Sequence, residues 1–186
     1  PQVHISFYTD MYMGANYWSF LTKEFPMKMK NLFNISHNSE ETFVAGLSMG
    51  GYGAIKWGLT YPDEVAGIAA LSAAVDPYRI WQDDPDRDSL FKPIFGSKES
   101  FVGSENDLYA LLKQVNKETI QPAILQICGT EDYLYADNLR FKKTLQETFS
   151  DYTFSEKPGE HNWAFWDQEI QVVLKWIQEI TAKKRS

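Results

Sequence analysis

The chain has 186 residues, of which 44% are hydrophobic, and it carries a formal net charge of −7. This length and apolar content suffice for one domain with a buried core and exclude an intrinsically disordered chain. The negative charge argues against a nucleic-acid partner, and no membrane association is expected because no apolar run approaches the ~20 residues that cross a bilayer.

Helix-like and strand-like segments alternate along the chain. Residues 16–33 place large apolar side chains at helical spacing, with Pro26 as a kink or break. Strands are predicted from short apolar runs at residues 42–47, 65–71, 123–128 and 152–155. Further helices are predicted at 136–149 and from Trp163 onward. This alternation predicts an α/β fold, with a mostly parallel sheet and helices on both faces.

The most specific motif is Gly-Leu-Ser-Met-Gly at residues 46–50, which fits the G-x-S-x-G pattern of a nucleophile elbow. In such a strand-to-helix turn, the strained backbone projects the Ser48 hydroxyl above the sheet. The Met49 amide, at the start of the following helix, can then face developing negative charge in an oxyanion hole. The alternative interpretation is a glycine-rich turn in which Ser48 only caps the helix.

A serine hydroxyl is a weak nucleophile at neutral pH and needs a base, for which the chain offers three histidines. His161 follows the strand-like run at 152–155 and precedes a long helix. It therefore lies at a strand end, where an α/β fold displays reactive groups; its alternative role is to cap the helix. His4 lies in an alternating segment and is expected to be structural, whereas His37 lies in a polar connection and is expected to be solvated.

A carboxylate that orients the histidine is expected after the strand at 123–128, where Gly-Thr-Glu-Asp follows. Asp132 is the candidate and Glu131 is the rival. The order serine, acid, histidine along the chain is the order of α/β-hydrolases. In this arrangement Asp132 fixes the tautomer of His161, and His161 takes the proton of Ser48 and later donates it to the leaving group.

The segments that resemble the esterase D family of α/β-hydrolases are residues 6–10, 46–54, 129–132 and 159–166. Within this family the chain is most similar to the bacterial tributyrin-esterase branch, which is related to S-formylglutathione hydrolases. The likeness covers nearly all of the chain. It implies a carboxylesterase with an α/β-hydrolase fold and Ser48, Asp132 and His161 as its catalytic triad.

The resemblance also bears on domain organisation. Family members carry further amino-terminal strands and a loop that supplies a second oxyanion amide, and neither precedes residue 6 in this sequence. We therefore expect residues 1–186 to be the carboxyl-terminal portion of a single α/β-hydrolase domain. Residues 76–119 are polar and end in a capped amphipathic helix, which predicts a lid-like insertion over the site.

The sequence thus predicts a serine carboxylesterase that hydrolyses small acyl esters through an acyl-enzyme. A thioesterase acting on S-formylglutathione and an acyltransferase stay open, as does a non-catalytic binding protein with a hydrolase fold. No cofactor or metal is expected, since the sequence has neither a Cys/His cluster with metal spacing nor a phosphate-binding loop. The single Cys128, in a predicted buried strand, favours a cytoplasmic location. The family likeness is compatible with a homo-oligomer.

Overall fold

The computed structural model describes residues 2–116 and 121–185 of the chain. Within these ranges one parallel sheet has the order β1-β2-β3-β4, with β1 at Phe43–Leu47, β2 at Gly67–Leu71, β3 at Ala123–Gly129 and β4 at Tyr152–Lys157. The register pairs Leu47 with Leu71, and Leu71 with Ile127. The carboxyl ends of these strands therefore meet along one edge of the sheet, and the predicted α/β fold is confirmed.

Helices connect the strands. They are α1 (Tyr17–Ser19), α2 (Phe25–Leu32), α3 (Met49–Thr60), α4 (Pro77–Asp83), α5 (Asp88–Phe95), α6 (Lys98–Phe101), α7 (Leu108–Gln114), α8 (Tyr135–Thr148) and α9 (Trp163–Arg185). The irregularity expected at Pro26 is present as a π-type turn, Phe20–Glu24, directly before α2. Pro26 itself lies directly after this turn, in the first turn of α2, where it has no N–H to donate to the helical residues that precede it.

The central strands β2 and β3 are buried on both faces, and alternate residues serve two separate cores. One face packs against α3, α7 and α8 through Ile68, Ala70 and Ile124. The opposite face packs against α9 through Ala69, Leu71, Leu125 and Ile127. This explains why these strands read as continuous apolar runs rather than alternating ones. It also confirms that helices cover both faces of the sheet.

Strand β1 differs from its neighbours because, within the described residues, it pairs with β2 alone. Its residues are half-buried, apart from the exposed Ala45. A groove of about 1020 Å³ runs beside β1 and is lined in part by α2. None of the three candidate catalytic residues lines this groove.

The segment predicted as a lid forms the short helices α4 to α7. Its centre is an aromatic-rich cluster of Trp81, Phe91, Ile94, Phe95 and Phe101. The acidic stretch in this segment caps and joins helices: Asp84 accepts from the Asp86 N–H, and Asp88 accepts from the Trp81 indole at 2.6 Å. Residues 117–119 of the predicted insertion lie outside the described residues, and its role as a lid stays a prediction.

No helix in the described ranges combines the length with the apolar composition that crossing a bilayer requires. Cys128 is fully buried in β3, as the sequence predicted.

Candidate active site

Ser48 lies at the sharp turn between β1 and α3, with φ and ψ of 53° and −119°. Such a backbone in a residue with a side chain costs on the order of 1–3 kcal/mol, so the neighbouring structure must hold it. The Ser48 N–H donates to the Leu71 carbonyl at 2.8 Å, and the Ser48 carbonyl accepts from the Ala74 N–H at 3.0 Å. A Cβ at Gly46 would lie 2.2 Å from the Gly50 carbonyl oxygen, so only glycine permits this approach of strand and helix.

Asp132 lies in a tight turn directly after β3. Its backbone N–H donates to the Gly129 carbonyl at 3.2 Å, and one of its carboxylate oxygens accepts from the Leu134 N–H at 2.8 Å. The residue is only 5% exposed. Gly129 allows this turn to touch the histidine loop, because a Cβ there would lie 2.1 Å from the Gly159 carbonyl oxygen.

His161 connects the other two residues. Its Nδ1 lies 2.8 and 3.0 Å from the two carboxylate oxygens of Asp132, and its Nε2 lies 2.9 Å from the Ser48 Oγ. When Nδ1–H donates to the carboxylate, Nε2 carries the lone pair and accepts from the serine hydroxyl. The structure therefore brings Ser48, Asp132 and His161 into one hydrogen-bonded chain, although they are far apart in sequence.

Opposing effects set the charge of Asp132. Burial raises the pKa of its carboxyl, while hydrogen bonds from His161, the Leu134 N–H and Ser72 lower it, and the net result is a pKa below the ordinary value. Asp132 is therefore ionised at neutral pH. A buried carboxylate is best placed to stabilise an imidazolium beside it, because little water screens the pair.

Two aromatic side chains hold the His161 ring. Trp166 packs edge-on against it, with centroids 4.9 Å apart, and Tyr133 packs at 4.6 Å in a tilted arrangement. The Trp166 indole N–H also donates to the Ser72 hydroxyl at 3.1 Å. Neither Ser72 nor Tyr133 is predicted as a site residue from the sequence. The available signal for Ser72 was its position after the predicted strand at 65–71, at the same sheet edge as Ser48.

Glu131, the rival acid, faces a different group. Its carboxylate accepts from the Gly159 N–H and from the Thr130 hydroxyl, the latter at 2.8 Å. The hydrogen bond from Gly159 is the main reason why the pKa of Glu131 is lowered. Glu131 therefore joins the acid loop to the histidine loop, and the carboxylate that contacts His161 is Asp132.

The other two histidines lie elsewhere. His4 lies in a turn with a φ of 50°, rather than in an extended segment, and its ring packs 5.9 Å from that of Tyr17. His37 is exposed in the connection before β1, as predicted. Neither contributes to the hydrogen-bonded chain at Ser48.

A cavity of about 570 Å³ opens beside Ser48. Its lining is largely apolar and includes Leu47, Met49, Leu71, Trp163, Trp166 and Ile170. Trp163, predicted at the border of the acyl pocket, does line this cavity, and its side chain is largely exposed. Met49 is the first residue of α3, so its N–H is one of the helix-terminal amides without a partner inside the helix. Within the described residues, no group of three or more His, Cys, Asp or Glu side chains is arranged to hold a metal ion.

The chain is similar to known esterases. The family model described as "Putative esterase" matches residues 7–177. An acetyl esterase of Caldicellulosiruptor saccharolyticus is 31% identical over 189 aligned positions, which cover 97% of this chain and 71% of that protein.

The chain is also similar to solved structures of hydrolases. The fluorophosphonate-binding serine hydrolase F of Staphylococcus aureus has a TM-score of 0.86 at 36% identity, over 95% of this chain and 69% of that one. An S-formylglutathione hydrolase of the same organism has a TM-score of 0.82 at 35% identity, with the same coverage of both chains.

The parallel sheet and the likeness to these serine hydrolases define an α/β serine hydrolase. The chain belongs to the esterase family, and it is a serine esterase that hydrolyses acyl esters. The prediction of an enzyme is therefore confirmed over that of a non-catalytic binding protein. The narrower assignment to the tributyrin-esterase branch stays a prediction.

Proposed function

We propose that Ser48 is the nucleophile of this esterase, His161 its general base and acid, and Asp132 the carboxylate that orients and stabilises His161. The observation that carries this proposal is the continuous contact from the carboxylate through both ring nitrogens to the serine Oγ. Each contact has the length of an ordinary hydrogen bond, so proton transfer requires no rearrangement of the three side chains.

The reaction follows from these contacts. The Ser48 Oγ attacks the ester carbonyl carbon while its proton passes to the His161 Nε2, and the tetrahedral oxyanion accepts a hydrogen bond from the Met49 N–H. Collapse breaks the carbon–oxygen bond to the alcohol, which leaves with the proton from Nε2. Water then attacks the acyl-enzyme, giving its proton to Nε2, and the acid departs as Ser48 regains a proton.

Esters of short acids are the proposed substrates, with acetate preferred over butyrate. Support for the acyl group comes from the acetyl esterase to which the chain is similar. The apolar cavity beside Ser48 supports an ester with an uncharged alcohol part, because a charged group there would lose its hydration without a partner. Residues 76–119 are proposed to cover the site as a lid.

Hydrolysis of p-nitrophenyl acetate and butyrate by Ser48→Ala tests the proposed nucleophile. We expect kcat to fall by about 10⁴-fold or more, with loss of labelling by a fluorophosphonate probe. The matched control is Ser89→Ala, which removes the hydroxyl of an exposed serine in α5 and should leave kcat and labelling unchanged. Undiminished turnover by Ser48→Ala would overturn the proposal.

A second candidate, hydrolysis of a thioester, is favoured by the likeness to an S-formylglutathione hydrolase at 35% identity. The same triad would serve both reactions. Comparing kcat/KM for S-formylglutathione with that for p-nitrophenyl acetate separates them, and added acceptor alcohols would reveal acyl transfer as a new ester product.

A further inference from the structure

Behind the triad lies a second chain of contacts, in which Trp166 is hydrogen-bonded to Ser72, and it begins at the end of β2. Ser72 follows this strand, has a φ of 46° and exposes none of its surface. Its backbone N–H donates to the Ile127 carbonyl at 2.7 Å, which fixes the residue against β3. A backbone at this φ is easiest for glycine, so the presence of a serine points to a use for its hydroxyl.

The chemistry of the partners gives this chain a direction. An indole N–H can only donate, so the Trp166 contact at 3.1 Å occupies a lone pair of the Ser72 oxygen. The Ser72 proton is then available to the groups beside it, and hydrogen bonding with Ser72 acts to lower the pKa of both Asp132 and Cys128. The Asp132 carboxylate, which is hydrogen-bonded to His161 and to the Leu134 N–H, thus lies beside the Ser72 hydroxyl.

Trp166 contacts both ends of this arrangement. Its indole N–H holds Ser72, while its ring packs edge-on against the His161 imidazole at an interplanar angle of 88°. A rotation of Trp166 would therefore disturb the acid through Ser72 and the base directly. Trp166 is 8% exposed, so its ring has little freedom to turn.

We propose that Ser72 and Trp166 form a positioning pair that fixes the Asp132 carboxylate and the His161 ring in the geometry required for proton transfer. This inference rests on the proposed function of the triad. Ser72 lies outside the cavity beside Ser48, whereas Trp166 lines that cavity and in this role acts through the base. Loss of the Ser72 hydroxyl should therefore lower kcat rather than weaken substrate binding.

Two titratable groups beside Asp132 stay neutral. Burial raises the pKa of the neighbouring Cys128 thiol to about 12, with the Asp132 charge as a further cause and hydrogen bonding with Ser72 opposing it. Burial also raises the pKa of Tyr133. The Asp132 charge raises this pKa further, and the Arg87 charge opposes the rise. Both groups therefore stay neutral at pH 6–9.

The test compares Ser72→Ala with Ser72→Gly. Both remove the hydroxyl, but only glycine relieves the positive φ. If the hydroxyl positions Asp132, kcat for p-nitrophenyl acetate falls about tenfold in both variants, with KM within twofold of wild type. If only the backbone matters, Ser72→Gly keeps full activity, and the proposal is overturned. Should the alanine variant fail to fold, the glycine variant alone decides.

The pH profile gives a readout that a loss of packing would not move. Without the Ser72 donor, the Asp132 carboxylate attracts the imidazolium more strongly, so the acid limb of kcat/KM should shift upward by roughly half a pH unit. An unshifted limb in Ser72→Gly contradicts the proposal.

Trp166→Phe keeps a ring against His161 but removes the indole N–H, and we expect a fall in kcat of about threefold to tenfold. Because the indole acts through Ser72, the double variant Ser72→Gly/Trp166→Phe should fall by less than the product of the single effects. The matched control is Trp176→Phe, a half-buried tryptophan further along α9 that contacts Phe43 instead. Fully multiplicative effects would overturn the pairing.

Failure of this inference can be distinguished from failure of the proposed function. An inactive Ser48→Ala variant beside an unchanged Ser72→Gly variant rejects only the positioning pair. An active Ser48→Ala variant rejects the triad, and the inference with it.

Discussion

Two serines end neighbouring strands of the sheet, and they differ in what their hydroxyl groups meet. Ser48 follows β1 and Ser72 follows β2, and both have a positive φ, 53° and 46°. The Ser48 hydroxyl faces His161 and borders the cavity, whereas Ser72 is sealed inside the fold. Backbone strain at a strand end therefore does not by itself identify a nucleophile. Access to a base and to a cavity distinguishes the proposed nucleophile from the buried serine.

The largest effect is expected at Asp132, the carboxylate that contacts His161. Asp132→Asn removes the charge that stabilises the His161 imidazolium and favours the wrong tautomer of the ring. We expect kcat for p-nitrophenyl acetate to fall by about 10⁴-fold, measured at pH 7–8 with the folded state checked by circular dichroism. Glu131→Gln, which alters the neighbouring acid, should lower kcat by less than about tenfold because Glu131 does not contact the imidazole.

The same variant sharpens the comparison of the two serines. If Ser72 acts only through the Asp132 charge, adding Ser72→Gly to Asp132→Asn should change kcat by less than about twofold. A further tenfold loss in that background would show that Ser72 acts by another route. Equal losses for Glu131→Gln and Asp132→Asn would contradict the assignment of the acid.

The second largest effect is expected at the turn after β1. Gly46→Ala places a methyl group 2.2 Å from a backbone carbonyl oxygen in α3, and backbone cannot move aside as a flexible side chain can. We expect the Ser48 turn to shift, with a loss of about 100-fold or more in kcat and a lower free energy of unfolding. Urea unfolding and ester hydrolysis on the same preparation measure both quantities.

The control lies in the same motif. A Cβ at Gly50 would meet the end of the Tyr8 side chain, with the hydroxyl oxygen at 3.2 Å, and that side chain can give way. Gly50→Ala should therefore cost less than about tenfold in kcat. The two glycines of the G-x-S-x-G pattern would then be unequal for a physical reason, and equal losses at both positions would reject this explanation.

The fold was predictable because its signals are local and repeated. The apolar runs that became β2 and β3 are continuous since both faces are buried, and the glycines after β1 mark its turn. The predicted helix at 136–149 agrees with α8 to within one residue at each end. The sequence predicts an irregularity at Pro26, whereas the π-type turn lies just before it, at Phe20–Glu24. The spacing of hydrogen bonds inside a helix has little effect on the spacing of apolar residues, so the sequence does not locate such a turn.

The site was predictable only where residue type restricts chemistry. Ser48 and His161 stand out because few residues can be a nucleophile or a base, and the structure places them in contact. Ser72 and Trp166 could not be recognised, because a buried serine and a core tryptophan are ordinary until their shared hydrogen bond is seen. Ser72 and Trp166 are 94 positions apart, and their contact depends on how α9 packs on the sheet.

The smallest effect on activity is expected about two turns along α3 from Ser48, at Lys56. This fully buried cation donates to the Asn106 side chain at 2.7 Å and to the Tyr8 carbonyl at 3.3 Å, and it lies 4.2 Å from the Trp18 ring. These contacts tie the amino-terminal segment to the loop before α7. Lys56→Met should leave kcat within about twofold at pH 7, because Lys56 touches neither strand-end serine.

Its effect should appear in the pH dependence of stability. Burial lowers the pKa of Lys56 to about 8, against opposing contributions from Glu105 and Asp10. The unfolded chain therefore binds more protons than the folded chain between pH 8 and 10.5, and stability rises with pH there by at most about 1.4 kcal/mol per unit. Loss of the Cys128 proton from the unfolded chain opposes this rise near and above pH 9, so the contribution of Lys56 is measured as a difference in slope. In urea unfolding at pH 8, 9 and 9.5, the slope of stability against pH should be lower in Lys56→Met than in wild type. Replacing the exposed Lys113 by Met should leave the slope unchanged, and an unchanged slope in Lys56→Met would contradict the assignment of this buried charge.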